Sequence, residues 1–293
     1  MESKITQAID LKYEPVAILW TDERPEKALG FKEGKCGCVM WMLANAAKGR
    51  TAAFDNKTYG CWGGGVGLGF GNQYLHFPGG IECFYPFLST GNEDWETGRA
   101  MAEKLESAVG KNFLEEFRHG EGYIKTPKLV KRFIDTMPIM EVPKKYVVFK
   151  PLTDVDPERE QPHVIVFLAD PDQLSALVVL ANYGRDDNEN VIAPFAAGCQ
   201  QIGIFPYREA RSERPRAIIG LTDLSARKNL KKQLDRNVLS FAVPWEMFKE
   251  MEDNVEGSFL QKETWRSLKE SGLADKADAG PQAVLPQRQK GMS

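Results

Sequence analysis

Residues 60–71 read Gly-Cys-Trp-Gly-Gly-Gly-Val-Gly-Leu-Gly-Phe-Gly, and no other stretch restricts the fold of this chain so strongly. Backbone this bare lets a second backbone, a cofactor or a cluster come close, and it admits positive φ at little cost. Cys61 stands near its head, with Cys36 and Cys38 before it and Cys83 after it. Amide donors around a sulfur favour the thiolate over the thiol. A cofactor or metal–sulfur site is therefore expected here, with Gly60, Gly63, Gly64 and Gly65 as its cradle. The segment is not a nucleotide fingerprint. Its glycines do not satisfy Gly-x-Gly-x-x-Gly, and the terminal Lys-Ser/Thr of a phosphate loop is missing. A helix start or a close backbone crossing accounts for the same glycines equally well.

Composition narrows the class. Of 293 residues, 42% are hydrophobic and 27% charged, the balance of a globular protein with room for a sizeable core. The formal net charge of -3 gives no argument for nucleic acid or an acidic membrane surface. The longest apolar runs, such as Val164–Ala169, are far too short to cross a membrane. Residues 1–7 lack a basic region followed by an apolar one, so a cytoplasmic location is expected. A reducing compartment would keep the five cysteines as thiols, and packing as small buried hydrophobes is their bland role.

Taken in order, residues 15–20 read as a buried strand, 38–48 as an apolar helix stopped by Gly49, and 51–54 as a short strand. Residues 90–110 carry an amphipathic helix pattern with Asn92 as cap, and a shorter helix opens at Thr126-Pro127. Pro138 and Pro143 bracket a connector. Strands follow at 146–150 and 163–168. Asp170-Pro171 starts a helix to Tyr183, and a short strand at 191–193 leads to Gly198-Cys199. Residues 216–221 and 238–243 read as late strands, and a helix opens at Pro244-Trp245. The expected fold is mixed α/β in two related halves, 1–140 and 141–270, with 271–293 as a disordered tail. The order strand, helix, short strand, Gly-Cys recurs, so a pseudo-twofold duplication would set Cys61 and Cys199 in related places.

Cys38, the following Ala46-Ala47 and Gly49, and Cys61 before glycines and Leu68-Gly69, form a familiar pattern. With the early Pro15-Val16-Ala17 strand and the late Val243-Pro244, it resembles family 169 of the domains of unknown function over roughly residues 10–255. The resemblance implies an α/β protein of prokaryotes and supplies no activity. It differs from the usual pattern at residues 220–227, where many relatives carry another cysteine, and it adds Cys36 and Cys83.

The leading chemical reading is an iron–sulfur cluster held by Cys38, Cys61, Cys83 and Cys199, with Cys36 a substitute ligand or neighbour. Glycine amides around Cys61 would bond the cluster sulfurs and raise its potential. Zinc ranks lower, because Cys36-Gly37-Cys38 has one intervening residue where zinc sites prefer two to four. His76, His119 and His163 show no metal-type spacing. A second class is a binding module for a small ligand, with Trp41, Trp62, Phe70, Tyr74, Phe84 and Tyr85 as pocket walls or as core. A third is a Cys61 nucleophile, whose nearest acidic groups are Glu82 and Asp55. The arginines and lysines of 208–232 are interrupted by acids and read as a solvated face. The partners expected are a small molecule or a redox protein, neither nucleic acid nor a membrane, with homo-oligomerisation open.

Overall fold

A computed structural model describes residues 1–278, with side chains described through residue 270. The fold is mixed α/β. Its seven-stranded sheet runs in the order β2-β3-β1-β4-β7-β6-β5. The strands are β1 (Val16–Thr21), β2 (Ala52–Phe54), β3 (Tyr146–Pro151), β4 (Val164–Ala169), β5 (Val191–Ile192), β6 (Ala217–Gly220) and β7 (Leu239–Pro244). Strands and helices stand where apolar runs meet turn residues. Asp170 caps the Pro171–Asn182 helix in a reciprocal capping box with Gln173, and Thr126 caps the Pro127–Thr136 helix through the Leu129 amide.

β1 and β4 are buried on both faces because side chains alternate into two cores. Ile18, Trp20, Val164 and Val166 enter the core that also holds Met40, Leu43 and Cys199. Ala17, Leu19, Ile165 and Phe167 enter the opposite one, with Leu177, Met247 and Phe248. Cys38, Cys83 and Cys199 pack on the first face.

The register of the sheet is symmetric. At its centre Ala17 faces Ile165, antiparallel. Val16 faces Pro151 on one side, and Val164 faces Pro244 on the other. Phe149 then pairs with Ala52, as Ala242 pairs with Ile218. The pairings thus relate β1 to β4, β3 to β7 and β2 to β6 in register. β5 stands outside this relation at the edge, parallel to β6.

Two sequence expectations differ from the structure. The repeat read from sequence matches 51–54 to 191–193, whereas the sheet register relates β2 to β6. β3 lies between β2 and β1. The amphipathic pattern from residue 90 becomes a helix only at Glu96–Leu105. Asn92 is fully buried, and its side-chain amide donates to the Cys83 and Phe117 carbonyls while its oxygen accepts from Trp95 Nε1. Tertiary bonds took the cap. The final helix runs Glu263–Asp278; the rest of the expected tail, 279–293, lies outside the described residues. Among the described residues no helix is long and apolar enough to cross a membrane.

Candidate functional site

The glycine segment opens a short helix, Trp62–Gly67, with Cys61 at its N-cap. Its glycines first serve packing. A Cβ on Gly67 would stand 2.6 Å from the Cys199 carbonyl carbon, so this helix crosses the Gly198–Ile202 helix backbone to backbone. Gly64 is closed in by the Tyr59 carbonyl and Val39, and Gly65 by Gln73 and Tyr59. Gly60 has φ +85° and lies under the Gly37 carbonyl, which ties the loop before Cys61 to the loop before Cys38. Gly63 has room, and its carbonyl accepts a hydrogen bond from Cys199 Sγ at 3.1 Å.

Four helix starts meet on this face. Cys38 caps the Val39–Ala46 helix, Cys61 the Trp62–Gly67 helix, and Asp223 the Leu224–Leu230 helix, while Cys199 lies in the first turn of Gly198–Ile202. The Cys38 helix packs on the Asp223 helix, the Cys61 helix on the Cys199 helix, and the Cys38 and Cys199 helices touch each other. Cys61 Sγ accepts the Gly64 amide at 3.3 Å. Asp223 Oδ1 accepts the Ser225 and Ala226 amides at 2.8 and 3.2 Å, and Oδ2 accepts the Gly198 amide at 3.1 Å.

The thiols are close enough to oppose one another's ionisation. Burial pushes Cys61 up to about 12 and outweighs the single Gly64 amide; Cys36, Cys38 and Asp223 add to the rise. Cys199 is raised well above the ordinary thiol value by burial, then by Cys61, Asp223 and Cys38. Cys38 is raised by burial against the pull of the Trp41 and Met40 amides and the Asn229 side chain. Cys36 is exposed and raised by desolvation and by Cys38. All five cysteines are free. Cys83 is elsewhere: it is fully buried against Gly79, and the charge that raises it after desolvation is Glu82.

The structure thus gathers Cys38, Cys61 and Cys199, with Cys36 beside them, and leaves Cys83 out. Among the described residues, no group of three or more His, Cys, Asp and Glu side chains is closed on a point that could hold one metal ion. The charges that act on Cys61, those of Cys36, Cys38 and Asp223, all oppose its ionisation. The aromatic set is largely core. Tyr74 stacks on Phe84 at 4.0 Å, Trp62 meets Phe77 at 4.9 Å, and Phe77 continues to Phe87 and Phe113; Trp41 is the exposed member. Of the basic stretch, Arg208 and Arg216 pair with buried Glu209, Arg214 with Asp186 and Asp187, and Arg227 donates to the Leu221 and Val238 carbonyls.

A match to a family model spans residues 4–254: family 169 of the domains of unknown function, described as uncharacterised ArCR. The chain belongs to this family. No curated protein and no solved structure matches it.

Three members of the site escape a reading by residue type. Asp223 looks like an acid interrupting a basic run; the signal that finds it is the N-cap pattern Thr-Asp-Leu-Ser-Ala at 222–226. Gln200, 1% exposed, donates from Nε2 to Tyr74 Oη at 2.6 Å, and no local pattern announces this. Glu121 is the third. Burial, then Glu116 and Asp223, raise its carboxyl to about 7, while the Ser225 hydroxyl and Lys228 oppose the rise.

A carboxyl raised on folding stabilises the protein fully below its unfolded value near 4.5, and that contribution is lost as pH rises through about 7. Glu121→Gln should therefore match the parent near pH 4 and exceed it at pH 8 by about 2 kcal/mol, after discounting for partial exposure. Denaturant melts across pH 4–8 measure the difference; a constant offset would mean that Glu121 carries no such linkage.

Proposed function

We propose that this face holds a cysteine-ligated iron–sulfur cluster, through Cys38, Cys61 and Cys199, for electron transfer or accessory redox chemistry. One observation carries the reading: cysteines 23 and 138 residues apart (61 − 38 and 199 − 61) reach one place from three separate helix starts. Buried thiols placed by packing alone have no reason to share a site. Cluster thiolates sit on different irons, so their donors stand farther apart than those closing on one ion. Zinc ranks lower, because Cys36-Gly37-Cys38 has one intervening residue where zinc sites prefer two to four.

The fit is chemical as well as spatial. First-turn amides already approach Cys38 and Cys61, and such donors offset thiolate charge and tune a cluster's potential. The Tyr74–Gln200 pair and the Phe84 ring shield the buried side from water. A reducing compartment, as in a cytoplasm, keeps the thiols free for iron, and a redox protein or small molecule is the expected partner. Bound here, the cluster would supply one-electron chemistry.

Strictly anaerobic purification or reconstitution, with iron, sulfide and visible absorption read on one sample, tests this. About four irons and four sulfides per chain are expected. Cys61→Ala should lose them, whereas Cys83→Ala should keep them. Metal-free protein after attempted reconstitution, or equal loss in both variants, would sink the proposal.

A further inference from the structure

Leu221, the Leu224–Leu230 helix and the segment joining that helix to β7 line a cavity of about 300 Å³. Leu221, Leu230, Leu234 and Val238 form its apolar floor, and all four are buried. Cations form the rest: Arg227, Lys228, Lys231 and Arg236. Arg227 is fixed in the wall, where its guanidinium donates to the carbonyls of Leu221, Val238 and Arg236. Lys228 stands 4.0 Å from Glu116. Lys231 and Arg236 are exposed, and among the described residues no hydrogen bond or ion pair engages either side chain. The acid in the lining, Asp235, is held by Lys12 at 2.6 Å, so it does not cancel them.

Cations in the last turn of a helix complement its dipole, which accounts for Arg227 and Lys228. It does not account for Arg236, which reaches the same cavity from the segment beyond the helix. Leu221 is also strained. It holds φ 60°, the left-handed region that leucine avoids, and among the described non-glycine residues only Asp10, at a helix end, shares it. Such strain collects at ligand sites, and here it lies in the cavity wall, beside the carbonyl that fixes Arg227. We propose that this cavity binds a small molecule bearing a carboxylate on a short apolar body. The acid group lies at Lys231 and Arg236, and the body lies on the leucine and valine floor. The volume is at the small end of ligand pockets, which run from about 300 to 1,000 Å³. Inorganic phosphate would meet the cations and leave the floor wet, and a neutral hydrocarbon would use the floor alone. The cavity shares the Asp223-capped helix with the thiol face, but no cysteine lines it, and the proposal does not depend on the iron–sulfur reading.

Calorimetric titration of the full chain with hexanoate tests this. Hexanoate should saturate at about one per chain and bind more weakly as salt rises. Acetate keeps the charge without the body, and hexanamide keeps the body without the charge. Each should bind at least about tenfold more weakly than hexanoate. Lys231→Gln/Arg236→Gln should weaken hexanoate about tenfold, and because both residues are exposed the double variant should melt as the parent does. Leu234→Phe fills the floor and should weaken hexanoate by a similar factor, with circular dichroism melts confirming its fold. Arg159→Gln removes an exposed arginine outside the lining and should bind hexanoate as the parent does. No binding of hexanoate, or equal binding by the parent and the double variant, would overturn the proposal. So would acetate, inorganic phosphate or hexanamide binding as tightly as hexanoate, since either the floor or the cations would then play no part.

Discussion

Among the described glycines, Gly203→Ala should be the most destabilising glycine-to-alanine change, lowering unfolding free energy by more than about 3 kcal/mol. A Cβ at Gly203 would lie 1.9 Å from the Gly67 carbonyl oxygen and 3.0 Å from that of Cys199. The obstructing atoms are backbone, so no rotamer change relieves the overlap; the Trp62–Gly67 helix must move off the Gly198–Ile202 helix. Gly67→Ala meets the same crossing from the other side, with Cys199 and Gln200 backbone atoms at 2.6–2.8 Å. The two changes should not add, because the first already parts the helices. Gly110→Ala is the control, at a helix start with open space around it, and should cost under about 1 kcal/mol. Urea melts of the parent, the three single variants and the Gly67→Ala/Gly203→Ala double variant decide the matter. If Gly203→Ala behaves like Gly110→Ala, the glycines are not there for this crossing, and their density needs a ligand to explain it.

Gly203 also marks the limit of what could be read from the chain. The density at 60–71 announced close approach, and the crossing is one of the outcomes it allowed. The partner backbone, 136 residues beyond Gly67 (203 − 67), carries no comparable run of glycines. Elements written in local chemistry were legible: the apolar runs of β1 and β4, and the Asp170-Pro171 and Thr126-Pro127 starts. Pairing was not. β3 sits between β2 and β1 because of register and twist, which no local pattern encodes. The Lys111–His119 helix is hidden for another reason: its charged face obscures the Leu114 and Phe117 that hold it. The same division runs through the site. Cys38, Cys61 and Cys199 stand out by residue type, as does Cys83, and only tertiary structure separates the last from the rest. Asp223 and Gln200 are ordinary residues whose position makes them notable.

Alkylation of the metal-free protein should label Cys36 first and Cys61 about a thousandfold more slowly than an ordinary thiol at neutral pH. The thiolate is the reactive form, and moving the Cys61 value from 9.0 to about 12 removes about three decades of it. Cys36 is also raised, but it is exposed and lacks that enclosure. The Cys61 rate should then climb about tenfold per pH unit without a plateau below pH 10. Mass-spectrometric mapping after timed iodoacetamide exposure reads both features. A Cys61 that reacts faster than free cysteine at pH 7.5 would reverse the conclusion and favour the nucleophile. Slow labelling has a second consequence. If the proposed cluster is taken up, thiols that hold their protons without metal would release them on ligation, about three protons per chain for Cys38, Cys61 and Cys199. Metal uptake should therefore weaken steeply as pH falls, because acid restores the thiols. On the proposed reading, the burial that raises Cys61 makes metal ligation the step that ionises these sulfurs near neutral pH.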